Sequence, residues 1–383
     1  MKIAMIGHKR IPSREGGIEV VVEELSTRLV QMGHSVTVYN RKGKHVSDKN
    51  ADLEVHKLKT YKGIRIVHVP TPQNKAMNAI VYSFIATIYA LMGNYDVIHY
   101  HAEGPCMMLV IPHFFGIRTI ATIHGLDWQR SKWGGMATRV IKFGEKIAAK
   151  YADEVIVLST NVQQYFKDTY NRETIYIPNG VNKTEFRDPD LIANKFGLEK
   201  EKYILYLGRL VPEKGVTYLL EAFAKVKTDM KLVIAGGTSH SDEYVEKIKE
   251  LAAKDDRVVM TGFVQGNLLS ELYSNAYLYV LPSDVEGMPI SLLEAMSYGR
   301  KILTSNIPEN AEACGEYAMY FKKSSVRDLT KQLKDAIEKP ELFHTQDEIM
   351  DYCYTRFDWN KVTGASARLY IDAILNVERI DKV

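Results

Sequence analysis

The sequence predicts an α/β protein with two Rossmann-like domains, each built around a parallel sheet. Three observations support this fold class. Short apolar runs typical of strands alternate with helical segments, and the runs are apolar almost throughout, as in parallel strands covered on both faces. The alternation also restarts in the second half of the 383 residues, a length that at roughly 150 residues per domain suggests two domains.

The first half contains seven strand-like runs with helices between several of them. The predicted strands are KIAMIG, SVTVYN, IRIVHV, DVIHYH, TIATIH, EVIVLS and TIYIP. The predicted helices cover 18–32, 76–92 and 136–150. Residues 76–93 carry no charge, but polar side chains interrupt the segment. A buried crossover helix is therefore favoured over a membrane span, which needs about 20 predominantly apolar residues.

The second half repeats the pattern. Its predicted strands are YILYLG, KLVIAG, VVMTG, AYLYVLP, KILTS and AMYF, and its predicted helices lie near 215–227, 242–253, 267–273 and 289–298. Pro, Gly, Asn and charged residues cluster near 180–200. We therefore expect domains at 1–182 and 183–361, with a helix at about 362–380 as a candidate to pack back on the first. Ligands of such pairs bind in a cleft, at the carboxyl ends of strands.

Composition excludes several functional classes. A net charge of +3 gives no reason to expect a nucleic-acid partner. Three cysteines lie far apart without a CxxC pair, which argues against zinc and disulfides and favours a reducing cytoplasm. The N-terminus MKIAMIGHKR is predicted to be a strand and not a signal peptide. Neither G-x-G-x-x-G nor a P-loop is present, so a dehydrogenase is poorly supported.

The segment EGMPISLLEAMSYG places two carboxylates around the predicted start of a helix. Pro289 suits the first helical position and Gly299 suits the end, which leaves Glu286 in the preceding loop. Free amides at the helix start attract an anion, and Glu294 lies roughly 8 Å further along the axis. Acceptors on both sides of an anion site indicate hydroxyl groups around a diphosphate, as in a nucleotide sugar. The alternative is a capped surface helix.

Two further loops carry groups suited to phosphate. In LGRLVPEKG, Arg209 and Lys214 follow a predicted strand, where Arg can form two hydrogen bonds to a diphosphate and Lys acts as a point charge. In SREGGIEVVVEEL, Gly16 and Gly17 precede a helix and let the backbone approach a ligand closely. Taken singly, a solvated basic loop and a simple turn explain these segments equally well.

In this order along the chain, the segments resemble the retaining glycosyltransferases of family 4. The resemblance covers nearly the whole chain and rests on GGIE, IHG at 123–125, PNGV at 178–181, GRLVPEKG, GF at 262–263 and EGMPISLLEAMSYG. It implies the GT-B fold of two facing Rossmann-like domains. The segments MIGHKRIPSREGGIEVVVEEL and NYDVIHYHAEGP further resemble a bacterial subgroup enriched in rhamnosyltransferases of surface polysaccharides.

The resemblance implies a role for each matching residue around the donor phosphates and sugar. Arg209 and Lys214 would hold the diphosphate and stabilise the leaving nucleotide. Glu286 would bind hydroxyls of the sugar, with the backbone amides of Gly287 and Met288 beside it.

Five further positions take roles from the same resemblance. Glu294 would hold the ribose hydroxyls, and the backbone near Val264 would meet the base. Gly16 and Gly17 would supply backbone contacts near the phosphates or the acceptor. His124 would lie by the sugar ring.

The resemblance also implies transfer with retention and without a metal or other cofactor. Negative charge develops on the departing phosphate, so electrostatic stabilisation is the main catalytic requirement. The departing phosphate itself would help to deprotonate the acceptor. The Asp188–Asp190 pair is predicted to lie in a solvated loop and not in a metal site. Asn182 stands where the family often has Asp, and we assign it no catalytic role.

The distribution of basic residues suggests an acceptor at a membrane. One face of the predicted helix 136–150 contains Arg139, Lys142, Lys146 and Lys150, and an apolar face contains Val140, Phe143, Ile147 and Tyr151. Just before it lie Trp128, Arg130, Lys132 and Trp133. Aromatic and basic side chains together suit an anionic membrane surface. A solvated basic face with tryptophan in the core is an equal alternative.

The sequence therefore predicts a retaining, metal-independent glycosyltransferase. It would move a hexose or 6-deoxyhexose, with rhamnose as one candidate, from a dTDP-, UDP- or GDP-linked donor to a saccharide or lipid-diphosphate-saccharide. We expect it in the cytoplasm, peripheral on the inner face of the cell membrane. A GT-B-fold sugar-nucleotide epimerase and a non-catalytic carbohydrate-binding homologue are the alternatives. GGIE with EGMPISLLE argues against the first, and Lys214 with Glu286 against the second.

Overall fold

The computed structural model of the protein describes residues 1–43, 57–72, 75–130, 134–237 and 242–380. The chain divides into two compact units. Met1–Asn179 and Trp359–Val383 form the first, and Gly180–Asp358 form the second. Each unit contains a parallel or almost entirely parallel sheet flanked by helices, so the predicted fold class is confirmed.

The strands of the first unit are short and strongly apolar. In chain order they are β1 (Lys2–Ile6), β2 (Ser35–Lys42), β3 (Thr60–Tyr61), β4 (Ile64–Pro70), β5 (Val97–His101), β6 (Arg118–Ile123), β7 (Glu154–Val157) and β8 (Ile175–Tyr176). In the described part of the chain they make one sheet in the order β3-β4-β2-β1-β5-β6-β7-β8. The pair β3–β4 is antiparallel and the others are parallel.

Helices connect these strands. They are α1 (Gly17–Gln31), α2 (Lys75–Leu91), α3 (Glu103–Cys106), α4 (Val110–Phe114), α5 (Met136–Tyr151) and α6 (Thr160–Tyr170). Buried side chains from α2, α3 and α5 pack with those of β1, β5, β6 and β7 in one hydrophobic core. Helix α4 contacts α2, α5 and β6, so the helices α2 to α5 cover a common face of the sheet.

The second unit repeats this plan. Its strands are β9 (Tyr203–Leu207), β10 (Lys231–Ala235), β11 (Val258–Gly262), β12 (Leu278–Leu281), β13 (Lys301–Ser305) and β14 (Met319–Phe321). Its helices are α7 (Asp190–Phe196), α8 (Val216–Phe223), α9 (Asp242–Ala252), α10 (Gly266–Asn275), α11 (Ile290–Ser297), α12 (Pro308–Cys314), α13 (Val326–Glu338) and α14 (Gln346–Phe357). The sheet order is β11-β10-β9-β12-β13-β14, with every pair parallel.

The last helix, α15 (Trp359–Ile380), returns to the first unit. It packs against α1 and β6. Tyr370 at its centre forms a 2.7 Å hydrogen bond with Nδ1 of His99 in β5. The neighbours of His99 on that strand, Ile98 and Tyr100, belong to the core under α2 to α5. Because successive strand residues point to opposite faces, α15 covers the other face of the sheet.

The most buried residues of α5 are not those of its predicted apolar face. Phe143, which the sequence places on that face with Val140, Ile147 and Tyr151, is 52% exposed, whereas Ile147 and Tyr151 pack against the core. The buried residues are instead Ile141, Gly144, Glu145, Ala148 and Ala149. Helix α3 packs so closely that a Cβ at Gly144 would lie 2.0 Å from the carbonyl oxygen of Glu103. Small side chains are required at such an approach, so a pattern of large apolar residues does not identify the most buried positions of α5.

Replacing Tyr370 with Phe tests how firmly α15 is attached. The hydrogen bond to buried His99 is lost, and leaving a buried polar atom unpaired costs about 1–3 kcal/mol. We expect a loss of that size in the free energy of unfolding, measured by urea denaturation. Tyr89→Phe is the matched control because Tyr89 is exposed on α2. Equal stability of the two variants would contradict the proposed anchoring.

Candidate functional site

The strand order of the second unit indicates where a ligand binds. The connection from β9 leads to β10 on one side, whereas β12 leads to β13 and β14 on the other. Open α/β sheets bind ligands at the carboxyl ends of strands where the order reverses. In this unit the reversal lies between β9 and β12. Arg209 and Lys214 follow β9, and Glu286 follows β12. The topology thus brings together three residues predicted from two separate motifs.

Backbone contacts join the two loops. Gly215 has φ +65°, and a Cβ there would lie 2.1 Å from the carbonyl oxygen of Pro282. The amide of Asp284 donates a 2.8 Å hydrogen bond to the carbonyl oxygen of Glu213. Glycine is therefore required at Gly215 both by its backbone conformation and by the close approach of the neighbouring loop. The loop that carries Lys214 is held against the loop that carries Glu286.

Lys214 and Glu286 form a buried ion pair. Nζ of Lys214 lies 2.5 Å from Oε1 of Glu286, with the side chains 13% and 8% exposed. Removing one member of such a pair leaves an uncompensated charge in a poorly solvated place. By contrast, the guanidinium of Arg209 forms no ion pair or side-chain hydrogen bond within the described residues. Arg209 is thus the half-buried cation whose charge no described carboxylate neutralises.

Glu286 and Arg209 both lie near Tyr206. Burial raises the pKa of Tyr206, with a further increase from Tyr279 and Glu286 and an opposing effect of Arg209. The hydroxyl of Tyr206 donates a 3.0 Å hydrogen bond to the carbonyl oxygen of Arg209. Glu286 and Arg209 are therefore both within electrostatic range of one phenol.

Two helices begin where these loops end, so their amino termini lie beside the loops. Helix α8 begins directly after Gly215 and α11 directly after Pro289, and neither N-cap residue provides a side-chain cap. Unsatisfied amides and the helix dipole make such ends favourable for anions. Pro289, predicted as the first helical residue, is instead the N-cap, with φ −74° and ψ 111°. The helix therefore starts one residue later than expected.

The remaining predicted residues of this unit surround the same loops to different degrees. Gly287 and Met288 are buried immediately before α11. Glu294 lies inside α11, where its Oε2 accepts a 3.0 Å hydrogen bond from the Tyr273 hydroxyl. Val264 is buried after β11, and β10 separates that strand from β9. Val264 is thus placed at the outer part of the sheet edge.

The first unit has its own reversal of strand order, between β1 and β5. Gly7 follows β1, and a Cβ there would lie 2.1 Å from the carbonyl oxygen of His101. Ala102, just after β5, has φ +71°, which is a strained conformation for a residue with a Cβ. Strained backbone of this kind is common where a site is positioned.

Four buried histidines lie at or near this edge. His99 is hydrogen-bonded through Nε2 to Thr122 and stacks on His101 with ring centroids 4.1 Å apart. Nδ1 of His101 lies 3.1 Å from Nε2 of His124. Nε2 of His8 lies 3.0 Å from Oδ1 of Asn40. Predicted residue His124 thus belongs to a network of histidines from neighbouring strands.

Burial keeps these imidazoles neutral. It lowers the pKa of His99 to about 3 and the pKa values of His8 and His124 to about 4. The pKa of His101 is also well below its ordinary value, because of burial first and the neighbouring histidines second. A neutral ring offers one donor and one acceptor, so His124 is suited to hydroxyl groups more than to phosphate.

Gly16 and Gly17 lie at the start of α1, with Gly16 as an N-cap that provides no side chain. A Cβ at Gly16 would lie 2.3 Å from Oε2 of Glu19. Oε1 of Glu19 accepts a 2.8 Å hydrogen bond from the amide of Lys9. The carboxylate of Glu19 therefore lies directly beside Gly16, and the helix start has no side-chain cap.

Sequence reasoning missed three residues of the first unit. His8 and His101 follow or end strands at the reversal, and Glu103 is fully buried with Oε1 accepting a 2.9 Å hydrogen bond from the Asp127 amide. Burial, followed by repulsion from Asp127, raises the pKa of Glu103 well above its usual range. The sequence places histidine directly after the first strand, in GH, and again at the end of the fourth predicted strand, in HYH. This pattern could have identified His8 and His101.

Three other sequence predictions concern a metal site, a membrane span and the residues after Arg130. Asp188 and Asp190 are exposed, and the residues described here contain no cluster of three His, Cys, Asp or Glu arranged to hold a metal. Within the same residues no helix is both long and apolar enough to cross a bilayer. Lys132 and Trp133 lie outside the described residues.

Comparison with known proteins agrees with the fold. The family described as glycosyltransferase family 4 matches residues 15–185, and the family described as glycosyl transferases group 1 matches residues 189–350. An uncharacterized glycosyltransferase of Methanocaldococcus jannaschii is 28% identical over 80% of this chain and 81% of its own length.

Two solved structures have the same fold. Sucrose-phosphate synthase from Thermosynechococcus elongatus superposes with a TM-score of 0.84 at 21% identity, covering 98% of this chain and 99% of that one. HepE from Anabaena, in complex with UDP-glucose, superposes with a TM-score of 0.77 at 18% identity, covering 96% of this chain and 99% of that one.

The neutral histidines predict a loss of stability in acid. Their pKa values in the folded protein lie below the ordinary 6.5, so the unfolded chain takes up protons first as pH falls. Above about pH 6.5 these histidines do not lower the free energy of unfolding. As the pH falls toward 4 the free energy of unfolding decreases, by about 2 kcal/mol per buried histidine at pH 5. Thermal unfolding between pH 7.5 and 5 measures the slope.

His99→Gln should reduce this slope, whatever its effect on stability at pH 7.5. His113→Gln is the control, because His113 is an exposed histidine of the same unit. A slope unchanged by His99→Gln would show that the buried ring is not the group that titrates on unfolding.

Proposed function

This chain is a glycosyltransferase with the GT-B fold, and we propose that it transfers a hexose or 6-deoxyhexose from a nucleotide diphosphate sugar to a saccharide acceptor. The observation that carries the proposal is the buried Lys214–Glu286 pair at the β9/β12 reversal. It combines a cation for phosphate and a carboxylate for hydroxyls in one rigid unit. A donor with a sugar attached to a diphosphate matches both groups.

The diphosphate would be held by several weak positive centres. The uncapped amino ends of α8 and α11 supply backbone amides, and Arg209 supplies a guanidinium that no described carboxylate neutralises. Arg can bind two phosphate oxygens at once. As the bond to the sugar breaks, charge increases on the phosphate, and fixed dipoles stabilise it without reorganisation. The proposed reaction therefore takes place without a metal or other cofactor.

Glu286 would orient the sugar. One of its oxygens contacts Lys214, and the other can accept a hydrogen bond from a sugar hydroxyl. The amides of Gly287 and Met288 lie next to it in the chain. Because Glu286 is already paired, it is poorly suited to attack carbon. We therefore favour retention on one face of the sugar, with the departing phosphate accepting the acceptor proton.

The nucleoside would be bound further out. Glu294 is a hydrogen-bond acceptor for the ribose hydroxyls and is oriented by the Tyr273 hydroxyl. The backbone near Val264 is the proposed contact for the base. In the first unit, neutral His124 suits a sugar hydroxyl, and the uncapped start of α1 at Gly16 and Gly17 suits a phosphate or the acceptor.

The proposed donor and acceptor rest on the sequence resemblance more than on the geometry of the site. We propose a dTDP-, UDP- or GDP-linked donor, with rhamnose as the first 6-deoxyhexose to test and a lipid-diphosphate-linked saccharide as the acceptor. UDP-glucose is the first hexose donor to test, because it is bound by HepE, whose fold is the same. Synthesis of a surface polysaccharide is the proposed context.

Lys214→Ala should lower kcat for sugar transfer by about 10²–10³-fold, as expected for loss of a group that stabilises the departing phosphate. Glu286→Gln should lower it at least about tenfold, because a charged hydrogen bond is lost. The measurement is nucleotide diphosphate release with and without acceptor. Lys249→Ala is the control, since Lys249 forms an exposed ion pair on α9.

Lys214→Ala leaves Glu286 buried without its partner, so each variant is also examined by thermal unfolding. If the single variant fails to fold, the double variant Lys214→Ala with Glu286→Ala removes both charges and replaces it. Near-normal turnover in either folded protein would refute the proposed role of the pair.

The same assay separates the competing functions. A transferase releases nucleotide diphosphate faster when acceptor is added, an epimerase changes the sugar without release, and a binding protein does neither. A panel of dTDP-, UDP- and GDP-sugars in a thermal-shift experiment should identify the donor, because a ligand that binds the folded state raises its melting temperature. We expect Glu294→Gln to reduce that shift for the complete nucleotide sugar and for its nucleoside diphosphate alike. A shift unchanged by this variant would show that Glu294 does not bind the ribose.

A further inference from the structure

One face of the first unit is both apolar and basic. It is formed by the exposed sides of α2, α4 and α5, which we call the α2–α4–α5 surface. We propose that this surface docks onto a membrane that contains anionic lipids. The proposal deepens the proposed function, because a lipid-linked acceptor would be presented at such a surface.

Helix α2 contributes an exposed apolar stripe. Its inner side is buried through Tyr82, Ala86 and Ala90, as predicted for a crossover helix. On the outer side, however, Ile80 is exposed and Phe84 is 48% exposed. These two residues are four apart and lie on one face of the helix. The uncharged segment therefore covers the core with one side and presents hydrocarbon to the surroundings with the other.

Helix α4 extends this stripe toward α5. Phe114 and Phe115 are 76% and 71% exposed, among the highest values for large apolar side chains in the protein. The Phe114 ring lies 6.2 Å from the ring of Tyr151 at the end of α5. Nζ of Lys150 lies 4.9 Å from the same Tyr151 ring. An exposed phenylalanine and a lysine thus both lie close to the ring of one tyrosine.

Helix α5 contributes the charge. Arg139, Lys142, Lys146 and Lys150 are exposed. At 3.6 residues per turn, these cations and exposed Phe143 lie within about 100° of the helix circumference. The one acidic residue of α5, Glu145, is fully buried and accepts hydrogen bonds from Tyr165 and Tyr170. Helices α2 and α4 contain no acidic residue.

The chemistry of the surface favours lipid over a protein partner. A second copy of the chain would bring two basic faces together, with no exposed carboxylate on these helices to offset the repulsion. An anionic bilayer offers negative headgroups to the lysines and hydrocarbon to the phenylalanines. Large exposed apolar side chains next to cations satisfy both requirements at one interface.

The sequence leaves two positions open for tryptophan, at the lipid or in the core, and Trp128 takes the second. Trp128 packs against the core of the first unit. Nζ of Lys142 lies 4.0 Å from its ring. Trp128 therefore holds a lysine of the surface in place, and phenylalanines of α2, α4 and α5 provide the exposed hydrocarbon.

Flotation with vesicles tests the proposal. We expect the full chain to float with phosphatidylcholine vesicles that contain phosphatidylglycerol and to bind pure phosphatidylcholine weakly. The double variant Arg139→Gln with Lys146→Gln should lose about fivefold in partitioning per removed cation at low salt, and less at high salt. Phe84→Ser with Phe114→Ser should lose at least tenfold at either salt concentration, because hydrocarbon burial is lost.

Matched controls lie on the opposite face. Ile371→Ser with Leu375→Ser removes two exposed apolar side chains of α15 and should leave flotation unchanged. Three results would overturn the proposal: no flotation of the unaltered chain at low salt, flotation of both test variants equal to that of the unaltered chain, or an equal loss in the α15 control. A concentration-dependent dimer abolished by Phe84→Ser with Phe114→Ser, in a protein that does not bind vesicles, would assign the surface to a second copy.

Donor hydrolysis in solution separates this proposal from the proposed function. The surface variants should hydrolyse a nucleotide sugar as fast as the unaltered chain, since they leave Arg209, Lys214 and Glu286 intact. Vesicle binding without nucleotide release from any donor, with or without acceptor, would support docking and contradict the transferase proposal. Hydrolysis without vesicle binding would do the reverse.

Discussion

The handedness of parallel crossovers is the constraint on which the structure depends. Connections between parallel strands are right-handed, so a sheet can carry helices on both faces only if its strand order reverses once. In this protein the reversals lie between β1 and β5 and between β9 and β12. At each of them the connections after the two adjacent strands lead to helices on opposite faces of the sheet. A ligand can reach the backbone amides there, and the residues suited to phosphate and sugar are found at these points.

Close backbone contact turns each reversal into a rigid site. The absence of a side chain at Gly215 lets the loop after β9 touch Pro282, and Gly7 allows the same contact with His101. Groups on different loops then hold fixed positions. The Lys214–Glu286 pair is one result, because two charges taken out of water are stable only when their geometry is maintained. The neutral histidines of the first unit are another, since burial excludes their charged form.

Exposed surface follows a different rule. A helix that covers a sheet needs only one buried side, and solvent tolerates hydrocarbon on the other in small amounts. The outer sides of α2 and α4 expose several large apolar side chains together, among them Ile80, Phe84 and Phe114. Helix α5 adds positive charge to this surface. Its basic side chains are exposed, whereas its only acidic residue, Glu145, is buried against Tyr165 and Tyr170. Packing requirements of the core do not explain this arrangement, whereas contact with an amphipathic partner does.

The sequence alone predicts the α/β class and the two repeated units. It also identifies Arg209, Lys214, Glu286 and Glu294 as candidate site residues. Strand runs, helix ends and loop spacing are local properties, and they leave a direct trace in the order of residues. Tertiary structure alone decided which groups meet: that Lys214 pairs with Glu286, that His124 joins His101 and that Phe143 faces outward. These contacts join residues distant in the chain, or depend on how closely α3 approaches α5, and backbone packing sets both.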